Sequence, residues 1–186
     1  MSPVRILSNG VLIVRTGGGP SRARVGPGRE YSVDPEARLE ELGIELPPPP
    51  KPVGSYTTAV HSGELLFLSG TTCYGEGGLL CKGKVGESVT LDQAYAAARQ
   101  TALNLLAVVK AELGTLNRVE RIVKINGYVN SAPGFDQQPA VINGASDVMV
   151  AVFGDRGVHA RTSIGVSELP GTIPVEIEMV VRVRPG

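Results

Sequence analysis

An arginine and two glutamates near the end of the chain have the residue types and spacing to act on one small molecule. Arg161 stands at the start of a predicted strand near residues 162–167, and Glu176 and Glu178 follow after a short turn. A guanidinium donates two parallel hydrogen bonds to a carboxylate and stays charged at any working pH, whereas a glutamate can take a proton from water. If the two segments pair as an antiparallel hairpin, this order predicts a site that binds a small acid beside a group that directs water.

Strands are predicted on both sides of these residues. Residues 174–183 alternate between an apolar set of side chains and a set that is polar except for Val180, which is typical of a strand with two different faces. Residues 119–129 form a largely apolar run that predicts a buried strand, and residues 57–60 and 65–68 predict a hairpin around Ser62-Gly63.

Two long helices are predicted between the strands. Thr90 and Gln93 form a capping box, and apolar residues then recur every three or four positions until Gly114. A second helix is predicted over residues 139–153, with a polar face that carries Asn143 and Asp147. The order ββ, α, β, α, ββ predicts an α+β domain over residues 34–186, in which both helices pack on one face of a mixed sheet. We expect another subunit to cover the opposite face.

The N-terminal part of the chain differs from this domain. Residues 1–33 are rich in glycine and arginine, and Asn9-Gly10 between two apolar runs predicts a β-hairpin in this extension. A short helix is predicted from the Asp34 cap to Leu42, and residues 47–50 predict a polyproline connector.

Composition narrows the classes of function. Eighteen basic residues balance eighteen acidic ones, which disfavours nucleic-acid binding. No apolar run is long enough for a membrane helix and no secretory signal is recognisable, so we expect a cytoplasmic protein without a membrane partner. The spacing of Cys73, Cys81, His61 and His159 does not fit a metal site, and we expect two free thiols.

From about residue 39 to residue 183, the chain resembles the YjgF/Rid family of enamine and imine deaminases. The resemblance rests on five segments: 54–56, 68–70, 97–104, 122–129 and, most specifically, 160–178. It implies a chorismate mutase-like fold and a homotrimer with clefts between subunits. The chain departs from the family at Ser55, where proline is usual, and at Ser163, where cysteine is common.

The resemblance also implies roles for individual residues. Arg161 would bind the carboxylate of 2-aminoacrylate or a related imine, and Glu176 would orient the attacking water. Tyr56, Ser163 and Asn143 would line the cleft, and His159 is expected to be a polar interface residue. The products would be a 2-keto acid and ammonia, and the reaction would require no metal or organic cofactor. Two alternatives stay open: an endoribonuclease that inhibits translation, and a non-catalytic trimer that binds 2-keto acids.

Overall fold

The computed structural model describes residues 33–185. The hairpin that the sequence predicts in the N-terminal extension lies outside these residues. Within them, the predicted α+β architecture is confirmed: a mixed five-stranded sheet has two long helices packed on one face. The helices are α1 (Pro35–Glu41), α2 (Leu91–Leu113) and α3 (Gln138–Phe153). The strands are β1 (Ala59–Ser62), β2 (Leu65–Thr71), β3 (Tyr74–Gly75), β4 (Gly78–Leu79), β5 (Val119–Asn130), β6 (Ala160–Val166) and β7 (Val175–Val183).

The ends of the helices follow their sequence signals. The Asp34 side chain caps α1, and Thr90 and Gln93 form the reciprocal capping box at the start of α2. Gly114 ends α2 with φ of +78°, a left-handed conformation that glycine adopts without steric cost. Helices α2 and α3 come close together at Gly144, where an added Cβ would collide with the backbone oxygen of Tyr95.

The sheet has the strand order β1-β2-β7-β5-β6. Its helix-covered face is apolar, and on β7 it contributes the fully buried Val175, Ile177 and Val181. The alternate residues of β7 point to the other face of the sheet. Among residues 33–185, no helix packs on that face as α2 and α3 pack on the first. Strands β3 and β4 form a small separate hairpin.

The predicted hairpin between the last two strands of the sheet is wrong. Strand β5 lies between β6 and β7, and it pairs in parallel with β6 and antiparallel with β7. The unit β5-α3-β6 is a crossover connection, which joins neighbouring parallel strands. Arg161 and Glu176 therefore lie on strands that are not neighbours.

Candidate active site

Arg161 lies on the edge strand β6 and points to the helix-covered side of the sheet. It pairs in register with the buried Ile125 of β5, so both side chains share that face. Its Nη1 donates to Asn143 Oδ1 at 2.7 Å and to Ser146 Oγ at 3.0 Å. Asn143 and Ser146 are three residues apart on α3 and therefore lie on the same side of that helix. We call Arg161, Asn143, Ser146 and His159 the arginine cluster.

The neighbours of Arg161 are neutral. The ion pairs found within residues 33–185 do not include Arg161. Both Nη1 protons are used by Asn143 and Ser146, while Nε and Nη2 have no hydrogen-bond partner among the described residues. That edge is the one with which arginine binds a carboxylate through two parallel hydrogen bonds. Arg161 is thus held in place through Nη1, while its Nε and Nη2 remain available to an anion.

Glu176 lies on the opposite face of the sheet, near the start of β7. Its carboxylate rests against Gly70 of β2, at the place where a Cβ of residue 70 would stand. No described residue donates a hydrogen bond to it. Partial burial, and secondarily the charge of Glu178, raises the pKa of the Glu176 carboxyl. A carboxylate with a raised pKa is a better general base near neutral pH.

Glu178 lies on the same face but is firmly bound to its neighbours. Its Oε1 accepts hydrogen bonds from Asn126 Nδ2 at 2.8 Å and from Tyr128 Oη at 3.0 Å. Burial, and then the bond to Glu178, raises the pKa of Tyr128, which keeps its phenol a donor. Arg182, on the same strand, pairs with Glu64 and Glu120. We call Glu176, Glu178, Asn126 and Tyr128 the glutamate cluster.

A hollow of about 430 Å³ adjoins the glutamate cluster on this open face. Its lining includes Phe67, Ser69, Lys124, Asn126 and Glu178. Arg161 does not line it, because Arg161 belongs to the other face.

Tyr56 precedes β1, at the far edge of the sheet from Arg161. The order of five strands separates these edges by four strand spacings, about 19 Å in all. The side chain of Tyr56 is 50% exposed. The neighbouring Thr57 accepts a hydrogen bond from Ser69 Oγ at 2.6 Å, and Ser69 precedes the Gly70 that supports Glu176. The Tyr56 segment is therefore attached beside the glutamate cluster.

The two remaining predicted site residues, Asn143 and Ser163, lie on the same side of the sheet as Arg161. Asn143 contacts Arg161 directly, and Ser163 lies on the helix-covered side, in register with Gly127. The Ser163 Oγ is buried without a hydrogen-bond partner in the described chain. Ser146, Asn126 and Tyr128 were missed by sequence reasoning. The three-residue spacing of Asn143 and Ser146 on a polar helix face was the signal that could have found Ser146.

The described residues show neither a cluster of metal ligands nor a membrane-spanning helix. Within residues 33–185, no three histidine, cysteine, aspartate or glutamate side chains gather as metal ligands. Cys73 and Cys81 are both free thiols, as expected. None of the helices in the described range is both long and apolar enough to cross a membrane.

Comparison with known proteins gives a consistent set of relatives. Residues 36–173 match a family model described as "YjgF/chorismate_mutase-like, putative endoribonuclease". Protein TCP17 of Trypanosoma cruzi is 42% identical over 149 residues, which cover 80% of this chain and 93% of that protein. A 2-iminobutanoate/2-iminopropanoate deaminase of Dermatophagoides farinae is 31% identical over 146 residues, covering 76% of this chain and 95% of the relative.

A solved structure gives the same result at the level of the fold. The crystal structure of the protein Atu1372 from Agrobacterium tumefaciens, a protein of unknown function, has a TM-score of 0.73 and 41% identity. The alignment covers 80% of this chain and 91% of that one.

Proposed function

This chain belongs to the YjgF/chorismate mutase-like family, and we propose that it hydrolyses small carboxylated enamines or imines to 2-keto acids and ammonia. The observation that carries the proposal is the state of Arg161. Its Nη1 is held by two neutral oxygen acceptors, and its charge is not cancelled by an ion pair within residues 33–185. Such a group is prepared for a substrate carboxylate. The relative from Dermatophagoides farinae, whose name specifies imino-acid substrates, supports the same class.

The chemistry needs one binding group and one proton acceptor. Arg161 binds the substrate carboxylate and fixes the C=N carbon. Glu176 removes a proton from water as the water oxygen bonds to that carbon, and the π electrons of the C=N bond pass to nitrogen, which takes this proton from Glu176. In the resulting carbinolamine, Glu176 transfers the hydroxyl proton to the amino group. The C=O bond then forms as the C–N bond breaks and ammonia leaves with its electron pair. A raised pKa suits Glu176 to both accepting and returning the proton.

The complete site lies between two copies of the chain, in a homotrimer with a cleft at each subunit boundary. Arg161 and Glu176 lie on opposite faces of the sheet in one protomer, so they can act on one substrate only across a boundary. The open face also exposes a row of apolar side chains: Val60 is 55% exposed and Phe67 is 44% exposed. Burial of this row against a second copy would remove it from water.

Complementation between two inactive variants tests both parts of the proposal. Arg161→Ala and Glu176→Gln are each expected to abolish most keto-acid release from freshly generated 2-aminoacrylate. In co-expressed trimers that assemble at random, about a quarter of clefts combine an intact arginine with an intact glutamate, so about a quarter of the activity should return. Arg121→Ala, at an exposed arginine of β5, is the matched control and should stay active.

The outcomes separate the two parts. An undiminished rate in Arg161→Ala rejects the proposed reaction for this substrate. Inactive single variants that fail to complement each other would instead contradict a site shared between protomers. Size-exclusion chromatography with light scattering shows whether mixed trimers form.

The two other functions are outcomes of the same experiments. A 2-keto acid that binds through Arg161, with no turnover of any imine tested, would favour a non-catalytic binding protein. RNA cleavage that survives further purification and disappears in Glu176→Gln would favour the endoribonuclease. His61 lies on β1 and His159 lies just before β6, so the two histidines occupy opposite edges of the sheet. They are therefore not a pair of neighbouring acid and base groups within one protomer.

A further inference from the structure

A chain of hydrogen bonds leads from Arg161 into the protein through Ser146 and His159. Arg161 Nη1 lies 3.0 Å from Ser146 Oγ, and Ser146 Oγ lies 3.1 Å from His159 Nε2. At the other side of the ring, His159 Nδ1 lies 2.6 Å from the carbonyl oxygen of Gly157. Three side chains and one backbone group are thus connected in series.

The chemistry of the groups fixes the direction of every bond in this series. A carbonyl oxygen can only accept, so His159 Nδ1 carries the proton donated to Gly157. In the neutral ring, Nε2 is then an acceptor and receives the hydroxyl proton of Ser146. The lone pairs of Ser146 Oγ remain free to accept from Arg161. Each donor therefore has an acceptor, and the series ends at the guanidinium.

The backbone holds both ends of the series in place. His159 and Arg161 are two residues apart in an extended segment, so their side chains point to the same side. Gly157 packs so closely on α3 that an added Cβ would collide with the backbone oxygen of Met149. A side chain at position 157 would therefore displace the turn whose carbonyl orients the ring.

Arg161 is the charged group that acts on the His159 ring. The other charged side chains nearby are directed elsewhere: Asp147 accepts from Tyr95, and Lys124 donates to Thr162 on the open face. Arg156, on the turn before β6, donates to backbone oxygens of Val119 and Val33.

The exposed Asp155, in the same turn, has its backbone oxygen bound by Arg121. Burial lowers the pKa of His159, the Gly157 bond opposes this, and the charge of Arg161 lowers it further. The ring is neutral at neutral pH.

We propose that His159 is a positioning residue that holds Arg161 through Ser146, and that its protonation couples the affinity of the site for a carboxylate to pH. The inference rests on the proposed function only in taking Arg161 as the carboxylate-binding group. A hydroxyl oxygen can accept two hydrogen bonds, so protonated His159 can donate to Ser146 Oγ without displacing Arg161. The series therefore persists, and the cluster gains a positive charge.

The sign of the pH effect follows from reciprocity. The charge of Arg161 disfavours protonation of His159, and a carboxylate bound to Arg161 cancels part of that charge. Binding of the anion therefore promotes uptake of a proton by His159. By linkage, protonation of His159 must strengthen binding of the anion to the same extent. Affinity should rise as pH falls through the titration of His159.

Calorimetric titration of pyruvate into the full-length Glu176→Gln protein tests this coupling. That background removes the carboxyl of Glu176, whose pKa is raised, so that its titration does not contribute to the pH dependence. Between about pH 8 and about pH 5.5, the dissociation constant should fall roughly threefold to tenfold. Repeating the titration in buffers of different ionisation enthalpy should reveal proton uptake on binding.

Substitution of each histidine provides the comparison. Adding His159→Gln, which keeps an acceptor for Ser146 but does not titrate, should remove the pH dependence and the proton uptake. At about pH 8 its affinity should stay within about twofold of the parent, because the acceptor is retained. His61→Gln, at the exposed histidine of β1, should leave both effects unchanged.

The possible failures are distinct. Equal pH dependence with and without His159 overturns the inference, whatever the enzyme does. Pyruvate that does not bind, or that binds equally well to Arg161→Ala, contradicts the proposed function instead.

Discussion

The arginine cluster and the glutamate cluster supply the two halves of the proposed site in opposite ways. Arg161 is held by Asn143 and Ser146, and Ser146 is held in turn by His159. Glu176 has no hydrogen-bond donor within the described chain, and its position is set by packing against Gly70. The binding group is thus fixed by polar contacts, while the proton acceptor is left without them.

This difference between the clusters suits the roles of Arg161 and Glu176 in the proposed reaction. Neutral acceptors hold the guanidinium in one orientation without cancelling its positive charge. Arg161 is therefore oriented for an anion and keeps its affinity for it. Hydrogen bonds to Glu176 would stabilise its charged form and lower its pKa, which would make it a weaker base. The neighbouring Glu178 accepts hydrogen bonds from Asn126 and Tyr128, so its Oε1 is already occupied within the protomer. Hydrogen bonds therefore set the position of Arg161, whereas packing against Gly70 sets the position of Glu176.

The largest effect is expected where the shape that supports Glu176 is changed. In Gly70→Ala, the new Cβ occupies the place of the Glu176 carboxylate, and the flexible end of that side chain must move away. We expect kcat to fall by about 100-fold, a typical contribution of a general base. The melting temperature should change little, because no backbone has to shift.

A matched glycine tests whether position 70 is special. Gly77 has open space around its Cβ position, so Gly77→Ala should keep both activity and stability. A Gly70→Ala protein with normal kcat would show that the position of Glu176 is not set by packing.

A smaller effect is expected when the geometry of the arginine cluster is changed at constant charge. In Arg161→Lys, a single ammonium group cannot bind Asn143 and Ser146 and also present two parallel donors to a substrate. We expect KM to rise about tenfold while kcat changes less. Arg121→Lys is the control, and steady-state kinetics with 2-aminoacrylate is the measurement. A loss confined to kcat would indicate that Arg161 acts on the transition state rather than on binding.

Local signals in the sequence predicted the elements but not the arrangement of the site. Helix caps at Asp34 and Thr90 and the alternation along β7 depend on neighbouring residues, and each was predicted correctly. The partner of β6 depends on the crossover through α3. The strand-helix-strand order carried that signal, but the short link between β6 and β7 suggested a hairpin instead.

Individual side-chain partners were still harder to predict. Asn143 and Arg161 were both chosen as site residues, but their contact needs α3 to lie beside β6. Glu176 and Glu178 look equivalent in sequence. Only the register of β5 against β7 brings Asn126 and Tyr128 to one of them and not to the other.

The smallest expected effect tests whether the charge of Glu178 raises the pKa of Glu176. The charge of Glu178 contributes, after burial, to the raised pKa of Glu176. In Glu178→Gln that charge is lost, so the pKa of Glu176 should fall and the active, ionised form should persist at lower pH. The acid limb of the kcat profile should therefore move down by less than about one pH unit, with little change at neutral pH.

The control makes the same chemical change at a glutamate of the surface. Glu168 pairs with Lys84 at 3.0 Å, and Glu168→Gln should leave the acid limb where it is. If the limb stays in place in Glu178→Gln, then burial alone sets the pKa of Glu176. In that case the two carboxylates of β7 would act independently, and the contrast between the clusters would reduce to the packing of Glu176 on Gly70.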